Sequence, residues 1–268
     1  MFEWLLPVFG FLIGIFAALT GIGGGAFIVP LLVLIYSLET DNAIVTSLAA
    51  ILFTAIASTL NYSRQKRIYY RTGLLLAVAT VPGALLGSYL TEIIRAKLLG
   101  LILGALLIPI AIIIMVDPAT RLQKRSTANG KHPQTDTKTD SELINSKRTL
   151  LLGLPLSFFG GLASGLLGIG GGMLVVPILT LAIGMPIHIA TATSMFNMIF
   201  TATSGVTMHF LENHITFEIA AFLGLGTVLG AQVGAYASKR ISHRSLRYVF
   251  GIMLIVAALQ IVQKNLTF

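Results

Sequence analysis

Long apolar stretches alternate with short polar loops along most of this 268-residue chain. Six of them have about the 20 residues that a helix needs to cross a bilayer; they cover residues 42–60, 72–91, 96–116, 188–208, 217–237 and 244–263. Two shorter apolar segments, residues 5–20 and 25–38, lie on either side of a glycine run near the N-terminus. The pattern predicts an all-α polytopic membrane protein with about eight to ten transmembrane helices and half-helices.

The two halves of the chain repeat one another at a constant offset of 147 residues. When residues 11–116 are placed on residues 158–263 without a gap, 33 of the 106 positions hold the same amino acid. The most similar element is Gly-Ile-Gly-Gly-Gly, which occurs as Gly21–Gly25 (the first pentapeptide) and as Gly168–Gly172 (the second pentapeptide). Because a repeat marks a structural unit, we predict a first membrane repeat at residues 1–116 and a second at residues 149–268, joined by a polar linker at residues 117–148.

Composition supports a membrane protein and argues against other classes. Charged residues make up 10% of the chain and hydrophobic residues 55%, whereas a soluble domain has about 25% charged residues. The net charge of +8 comes from Lys and Arg that lie in a few loops between apolar segments, so we expect a lipid bilayer and no nucleic acid as partner. The absence of Cys excludes thiolate metal ligands and cysteine nucleophiles. We expect no cofactor and no metal site.

The distribution of basic residues predicts that the two repeats have opposite orientations. Residues 64–71 hold four Lys or Arg, whereas the equivalent residues 211–218 hold two Glu and no Lys or Arg. Loops rich in Lys and Arg face the cytoplasm, so equivalent loops lie on opposite faces and the repeats are inverted. The linker is then cytoplasmic, and both termini are extracytoplasmic. The first basic residue is Arg64, so the first apolar segment lacks the basic start of a cleavable signal peptide.

Each pentapeptide breaks an apolar region and predicts a hairpin near the midplane of the membrane. Glycine adopts positive φ and disfavours helix, and irregular backbone is tolerated in a membrane only where it is buried in protein or lines a cavity. Consecutive free N–H groups and the start of the next helix attract anions. We therefore predict a substrate-binding role for eight glycines: Gly21, Gly23, Gly24, Gly25, Gly168, Gly170, Gly171 and Gly172. The segments beside each pentapeptide form either two half-helices that enter and return or two short spans.

Polar side chains that follow each pentapeptide extend the predicted site. Hydroxyl and amide groups donate hydrogen bonds to an oxyanion without carrying a fixed charge, and we assign substrate binding to five of them: Thr46, Ser47, Thr193, Ser194 and Asn197. The alternative is that these groups bond to their own helix or to a neighbouring helix. Glycine pairs inside the spans, such as Gly83 with Gly87 and Gly230 with Gly234, fit close helix packing instead.

A longer motif includes each pentapeptide. The sequence Gly-Ile-Gly-Gly-Gly-x-x-x-Val-Pro-[Leu/Ile]-Leu occurs at residues 21–32 and 168–179, and Ala-x-x-Thr-Ser follows at residues 43–47 and 190–194. These motifs and the duplicated layout resemble the sulfite exporter TauE/SafE family. The resemblance implies a multi-pass permease of the cell inner membrane that is related to exporters of sulfite and small organosulfonates.

The sequence favours a secondary transporter that exports a small oxyanion by alternating access between inverted repeats. A carrier of another small solute or ion is the first alternative. A membrane-embedded enzyme is the second, but its nearest acid–base pair, His209 with Glu212, has no counterpart in the first repeat, and we predict no catalytic residues. A small anion is the expected partner, while substrate identity, direction, coupling ion and oligomeric state stay open.

Overall fold

The computed structural model describes residues 3–116, 140–144, 149–210 and 217–238, and part of the segment 252–263. A 3₁₀ turn at Glu3–Leu5 precedes α1 (Leu6–Thr20), α2 (Gly25–Leu34), α3 (Thr40–Arg64), α4 (Tyr70–Ile93) and α5 (Ala96–Val116). Next come α6 (Asp140–Ile144), a π-helical turn at Thr149–Gly153 that runs into α7 (Leu154–Leu167), and α8 (Gly172–Pro177) with a second π-helical turn at Ile178–Ala182. α9 (Ile187–Phe210) and α10 (Phe217–Ala237) follow.

The predicted spans coincide with helices wherever the structure describes them. Residues 42–60 and 72–91 lie inside α3 and α4, residues 96–116 form α5, and residues 188–208 and 217–237 fall in α9 and α10. The predicted span 244–263 lies largely outside the described residues, of which 258–263 are helical. Four described segments are long and apolar enough to cross a membrane: Thr40–Arg64, Tyr70–Thr91, Thr149–Leu167 and Glu218–Ala237. The protein is therefore an all-α, multi-pass membrane protein, as predicted.

The helices beside the first pentapeptide are too short to cross a bilayer alone. At a rise of about 1.5 Å per residue, α1 is about 22 Å long and α2 about 15 Å, against a hydrocarbon core of about 30 Å. α1 ends at Gly21, whose N–H donates to the Ala17 carbonyl at 2.9 Å and whose φ is 78°. The chain then turns and begins α2 at Gly25. The two segments meet at the pentapeptide as two short helices.

Glycines allow helices from opposite halves of the chain to pack at backbone contact. A Cβ on Gly14 of α1 would lie 2.4 Å from the Thr227 carbonyl oxygen of α10, and a Cβ on Gly161 of α7 would lie 2.0 Å from the Thr80 carbonyl oxygen of α4. These two contacts are equivalent under the 147-residue offset. On α1, successive turns at residues 7, 11 and 15 meet residues 226, 230 and 234 of α10, so the paired helices run parallel. The close-packing interpretation of the span glycines is confirmed.

The two longest equivalent helices, α3 and α9, pack antiparallel in the core. The Leu48 side chain of α3 lies 2.8 Å from where a Cβ on Gly205 of α9 would be. Ile51, one turn further along α3, and Met198 of α9 both lie beside Gly170, at 3.0 Å and 3.5 Å from where its Cβ would be. Residue numbers therefore rise along one helix as they fall along the other. Leu48, Ile51 and Met198 are all buried.

The end of the predicted linker, residues 140–144, is part of the described fold. Asp140 of α6 accepts hydrogen bonds from the backbone N–H of Arg71 at 3.0 Å, from the N–H of Thr72 at 3.0 Å and from the Thr72 hydroxyl at 2.6 Å. These N–H groups belong to the first turn of α4, where they have no partner inside the helix. Burial, and then the charge of Asp140, raises the pKa of Tyr69. Residues 140–144 therefore cap a membrane helix, which the linker's polar composition did not predict.

Two adjacent glycines of α7 test the helix packing. We expect Gly161→Ala to lower the stability by about 1–3 kcal/mol because the new methyl group forces α4 and α7 apart. Gly160→Ala places its methyl 3.5 Å from the Leu174 side chain, an ordinary contact, and alanine favours helix over glycine by about 1 kcal/mol. Thermal unfolding in detergent should therefore show a lower Tm for the first variant and an unchanged or higher Tm for the second. Equal losses would contradict the packing described.

Candidate functional site

Both pentapeptides adopt the same left-handed backbone. Positive φ occurs at the equivalent positions Gly21, Gly23 and Gly24 of the first and Gly168, Gly170 and Gly171 of the second, with values between 67° and 88°. Residues with a Cβ rarely adopt this conformation. Gly24 and Gly171 are the N-caps of α2 and α8, so each helix begins directly after its break. The predicted backbone breaks are confirmed in both halves.

The two pentapeptides touch each other. A Cβ on Gly25 would lie 2.3 Å from the Gly168 carbonyl oxygen, and a Cβ on Gly172 would lie 2.3 Å from the Gly21 carbonyl oxygen. All ten residues of the two pentapeptides are buried. Only hydrogen fits at these two positions, so Gly25 and Gly172 are required by the contact between the two breaks rather than by φ.

Two serines hold the pentapeptides across the halves. The Ser47 hydroxyl of α3 donates to the Gly168 carbonyl at 2.9 Å, and the Ser194 hydroxyl of α9 donates to the Gly21 carbonyl at 3.1 Å. Both side chains are fully buried. Each pentapeptide is thus anchored to the long helix of the other half, and the two hydrogen bonds are equivalent under the 147-residue offset.

Free donors and two apolar side chains complete the junction of the pentapeptides. Within the described chain, the backbone N–H groups of Ile22, Gly23 and Gly24 have no hydrogen-bond acceptor, nor have their equivalents at residues 169–171. The side chains of Ile51 and Met198 lie against these residues: a Cβ on Gly23 would be 2.4 Å from the Met198 sulfur, and a Cβ on Gly170 would be 3.0 Å from Ile51 Cγ2. Unpaired buried N–H groups are rare, and these are able to donate to an acceptor.

The pentapeptides lie at the middle of the long helices. Ile51 is the twelfth of 25 residues in α3, and Met198 is the twelfth of 24 residues in α9. Ser47 and Ile51 are four residues apart, as are Ser194 and Met198, so each pair shares one helix face. That face of each long helix points at the pentapeptides.

The remaining predicted polar residues lie elsewhere. Thr193 Oγ1 accepts from the Tyr69 N–H at 3.1 Å. The Asn197 amide donates to the Gly73 carbonyl at 3.1 Å and its Oδ1 accepts from the Thr80 hydroxyl at 3.3 Å. Thr193 and Asn197 therefore share the face of α9 that is turned to α4, one position round from Ser194. The Thr46 hydroxyl is fully buried and has no hydrogen-bond partner in the described part of the chain.

The sequence did not single out several polar contacts at one end of α3. The Asn61 amide donates to Gln232 Oε1 at 3.0 Å, and the Gln232 amide donates to the Ala57 carbonyl at 2.8 Å; together they join α3 to α10. The Tyr62 hydroxyl donates to the Ala18 carbonyl in the last turn of α1. Amide side chains inside otherwise apolar spans were the available signal, since polar groups in a membrane interior pair with one another.

Comparison with known proteins places the chain in a family. The sequence profile of the family described as "Sulfite exporter TauE/SafE" matches residues 6–261. The chain is 28% identical over 270 residues to the "Probable membrane transporter protein YunE" of Bacillus subtilis (strain 168), covering 98% of both chains. It is 25% identical over 274 residues to the "Probable membrane transporter protein MJ0441" of Methanocaldococcus jannaschii, covering 95% of this chain and 93% of that one.

A plant relative carries the family name. "Sulfite exporter TauE/SafE family protein 5" of Arabidopsis thaliana is 35% identical over 135 residues, which cover 48% of this chain and 28% of the plant protein. No solved structure matches the chain significantly.

The serine anchors can be tested by removing each hydroxyl. Ser47→Ala and Ser194→Ala each leave a buried glycine carbonyl without this partner, and we expect a loss of about 1–3 kcal/mol from each variant. The two losses should be similar because the two contacts are equivalent. As a control, Thr54→Val removes a hydroxyl that bonds only to the Ala50 carbonyl of its own helix. Thermal unfolding in detergent should rank the two serine variants well below the control, and the reverse order would contradict the anchoring role.

Proposed function

The chain belongs to the sulfite exporter TauE/SafE family, and we propose that it is a secondary transporter that exports a small oxyanion such as sulfite or a small organosulfonate. The observation that carries this proposal is the meeting of two glycine breaks with unsatisfied N–H groups at the centre of a multi-pass membrane protein. Backbone N–H groups at the start of a helix bind anions. Broken helices that present such ends at the bilayer midplane are the binding sites of several transporter folds.

Alternating access between inverted repeats is the mechanism we propose. The antiparallel packing of the equivalent helices α3 and α9 supports an inverted arrangement, because a two-fold axis that relates antiparallel membrane helices lies in the membrane plane. Ser47 of the first half bonds to the second pentapeptide, and Ser194 of the second half bonds to the first. These reciprocal hydrogen bonds support a site shared by both repeats. In this arrangement the polar linker lies in the cytoplasm, the termini lie outside, and the protein resides in the cell inner membrane.

The binding site that we propose consists of the two pentapeptides with Ser47 and Ser194 as supports. The N–H groups of residues 22–24 and 169–171 donate to the oxyanion, and the N-terminal ends of α2 and α8 add partial positive charge. Thr46 is included because its fully buried hydroxyl has no hydrogen-bond partner in the described part of the chain and can donate. Thr193 and Asn197 position α4 against α9 and act on the site through Ser194.

Transport in vesicles tests the proposal directly. Purified protein in liposomes should release sulfite or a small sulfonate faster than protein-free liposomes do. Gly171→Ala should reduce this rate at least about tenfold, because left-handed backbone costs about 1–2 kcal/mol with a Cβ and the N–H groups are displaced. Gly184→Ala is the matched control: Gly184 also has a positive φ, of 82°, but a Cβ there would meet no heavy atom within 4 Å. Protein that moves a cation or a neutral solute but neither sulfite nor a sulfonate would contradict the proposal.

Ile51 and Met198 set the size of the substrate in this proposal. Their side chains fill the space beside the free N–H groups, so a shorter side chain there makes room for a longer sulfonate. We expect Met198→Ala to increase the transport of longer alkanesulfonates relative to sulfite by about fivefold or more, which corresponds to about 1 kcal/mol. Met195→Ala is the control, because Met195 is also a fully buried methionine of α9 but makes none of the close contacts to the pentapeptide glycines. A size preference that is unchanged in Met198→Ala, or changed equally in Met195→Ala, would contradict this role.

A further inference from the structure

The loop between α3 and α4 places one arginine against the ends of three helices, α3, α9 and α10. Lys66 has φ of 53°, its N–H donates to the Ser63 carbonyl at 2.9 Å, and the Arg67 N–H donates to the Tyr62 carbonyl at 3.2 Å. These two bonds form a Schellman turn, which reverses the chain at the end of a helix. The turn directs Arg67 back over the Tyr62 ring, with 5.1 Å between the guanidinium carbon and the ring centroid.

Among the described residues, the Arg67 guanidinium is bonded to neutral acceptors. Nη1 donates to Gln65 Oε1 at 3.0 Å and to Ser238 Oγ at 2.9 Å, and Nη2 donates to the His188 carbonyl at 3.0 Å. Ser238 directly follows α10, and His188 lies in the first turn of α9. One cation therefore ties together the ends of α3, α9 and α10.

No carboxylate of the described residues compensates this charge. Asp140, which lies at the start of α4, is bonded to the backbone N–H groups of Arg71 and Thr72. Burial lowers the pKa of the half-buried Arg67 guanidinium and the Tyr62 hydroxyl partly restores it, yet an arginine stays protonated in proteins. A guanidinium binds an oxyanion through two parallel hydrogen bonds that are about twice as strong as bonds to neutral acceptors. An oxyanion is thus a better partner for Arg67 than the three that it has here.

Two short routes connect Arg67 to the pentapeptides. The Tyr62 hydroxyl beneath the guanidinium donates to the Ala18 carbonyl, three residues before the first pentapeptide. His188 lies six residues before Ser194 on α9, a distance of about 9 Å along the helix, and Ser194 donates to the Gly21 carbonyl. A change of partner at Arg67 therefore acts on helix ends that hold the first pentapeptide.

We propose that Arg67 is a second anion-binding site, which takes the transported oxyanion at the face where α3 ends, before the pentapeptides receive it. The oxyanion replaces Gln65, Ser238 and the His188 carbonyl as acceptor, and this exchange releases the ends of α9 and α10 from the end of α3. The inference rests on the proposed oxyanion transport and adds to it a named residue and a step of capture.

Three variants in proteoliposomes test the capture step. Arg67→Gln should raise the KM for sulfite about tenfold or more, as expected for the loss of a charge-assisted bond, and leave the maximal rate within about twofold of the wild-type value. Arg67→Lys should give an intermediate KM because the ammonium keeps the charge but not the paired donors. Arg64→Gln is the control: Arg64 is exposed on the last turn of α3, and the KM of this variant should change less than about twofold, because surface charges contribute little.

Calorimetric titration of the detergent-solubilised protein with sulfite gives an independent measurement. The wild type should bind two anions, Arg67→Gln one and Arg64→Gln two. A wild type that transports sulfite but binds a single anion, or an Arg67→Gln protein with the wild-type KM, overturns the inference and leaves the proposed function standing. A wild type that does not transport sulfite overturns the proposed function itself.

Two further outcomes also contradict the inference. If Arg67 is only a structural tie, Arg67→Gln and Arg67→Lys lose maximal rate to the same extent without a change in KM. If the ligand of Arg67 is a lipid phosphate, the KM of the wild type changes when phosphatidylglycerol replaces phosphatidylcholine, and Arg67→Gln removes this dependence. Size-exclusion chromatography establishes that each variant is folded, and Arg67→Lys alone decides the KM test if Arg67→Gln does not fold.

Discussion

The structure depends on the need to satisfy irregular backbone inside an apolar core. The interior of a helix satisfies its own backbone hydrogen bonds, whereas a break in a helix exposes N–H and C=O groups that cost several kcal/mol each when unpaired in hydrocarbon. The two pentapeptides are such breaks. The carbonyls of Gly21 and Gly168 receive the hydroxyls of Ser194 and Ser47, and those of Gly24 and Gly171 accept from the first turns of α2 and α8. In the described chain the N–H groups of residues 22–24 and 169–171 have no acceptor, whereas only the carbonyls of Ile22, Gly23 and Ile169 have no donor. Unpaired donors therefore outnumber unpaired acceptors, which favours an anion.

These two hydrogen bonds between the halves require the backbones of the two pentapeptides to lie close together. A serine of one half reaches the glycine carbonyl of the other only because the two breaks are in contact, and any side chain at Gly25 or Gly172 would lie at 2.3 Å from a carbonyl oxygen. Close backbone contact is also found in two helix pairs lined by glycine, α1 with α10 and α4 with α7. Small residues let these helices meet without polar side chains, where packing rather than the hydrophobic effect drives association in a membrane. Glycine thus has two separate uses here, positive φ at the breaks and close contact along the helices.

Sequence periodicity predicted most of the fold because a bilayer permits few alternatives. Span lengths and glycine breaks are local features, and the structure contains them where it is described. The hydrogen-bond partners of the polar side chains were not predictable from the sequence. Ser194 and Asn197 were both predicted to bind substrate, but the helix rotates by about 100° per residue. Ser194 therefore faces Gly21, and Asn197 faces α4. The contacts of Ile51 and Met198 with the pentapeptides were not predictable, because an apolar residue in an apolar span has no distinguishing sequence feature. The capping role of Asp140 was not predictable, because the helix start that it caps, that of α4, is about 70 residues away in the chain.

Departures from symmetry carry information that the repeated core lacks. If the two halves exchange roles during transport, contacts that both halves share have the same free energy before and after the exchange and favour neither state. The polar contacts at the end of α3 are different, because the equivalents of Asn61, Gln232 and Arg67 in the sequence are Met208, Leu85 and His214. The bonds that Asn61 makes to Gln232 and that Arg67 makes to Ser238 therefore exist in only one of the two arrangements. They stabilise the conformation described here, with the ends of α3 and α10 joined, and an anion that competes for Arg67 removes part of that preference.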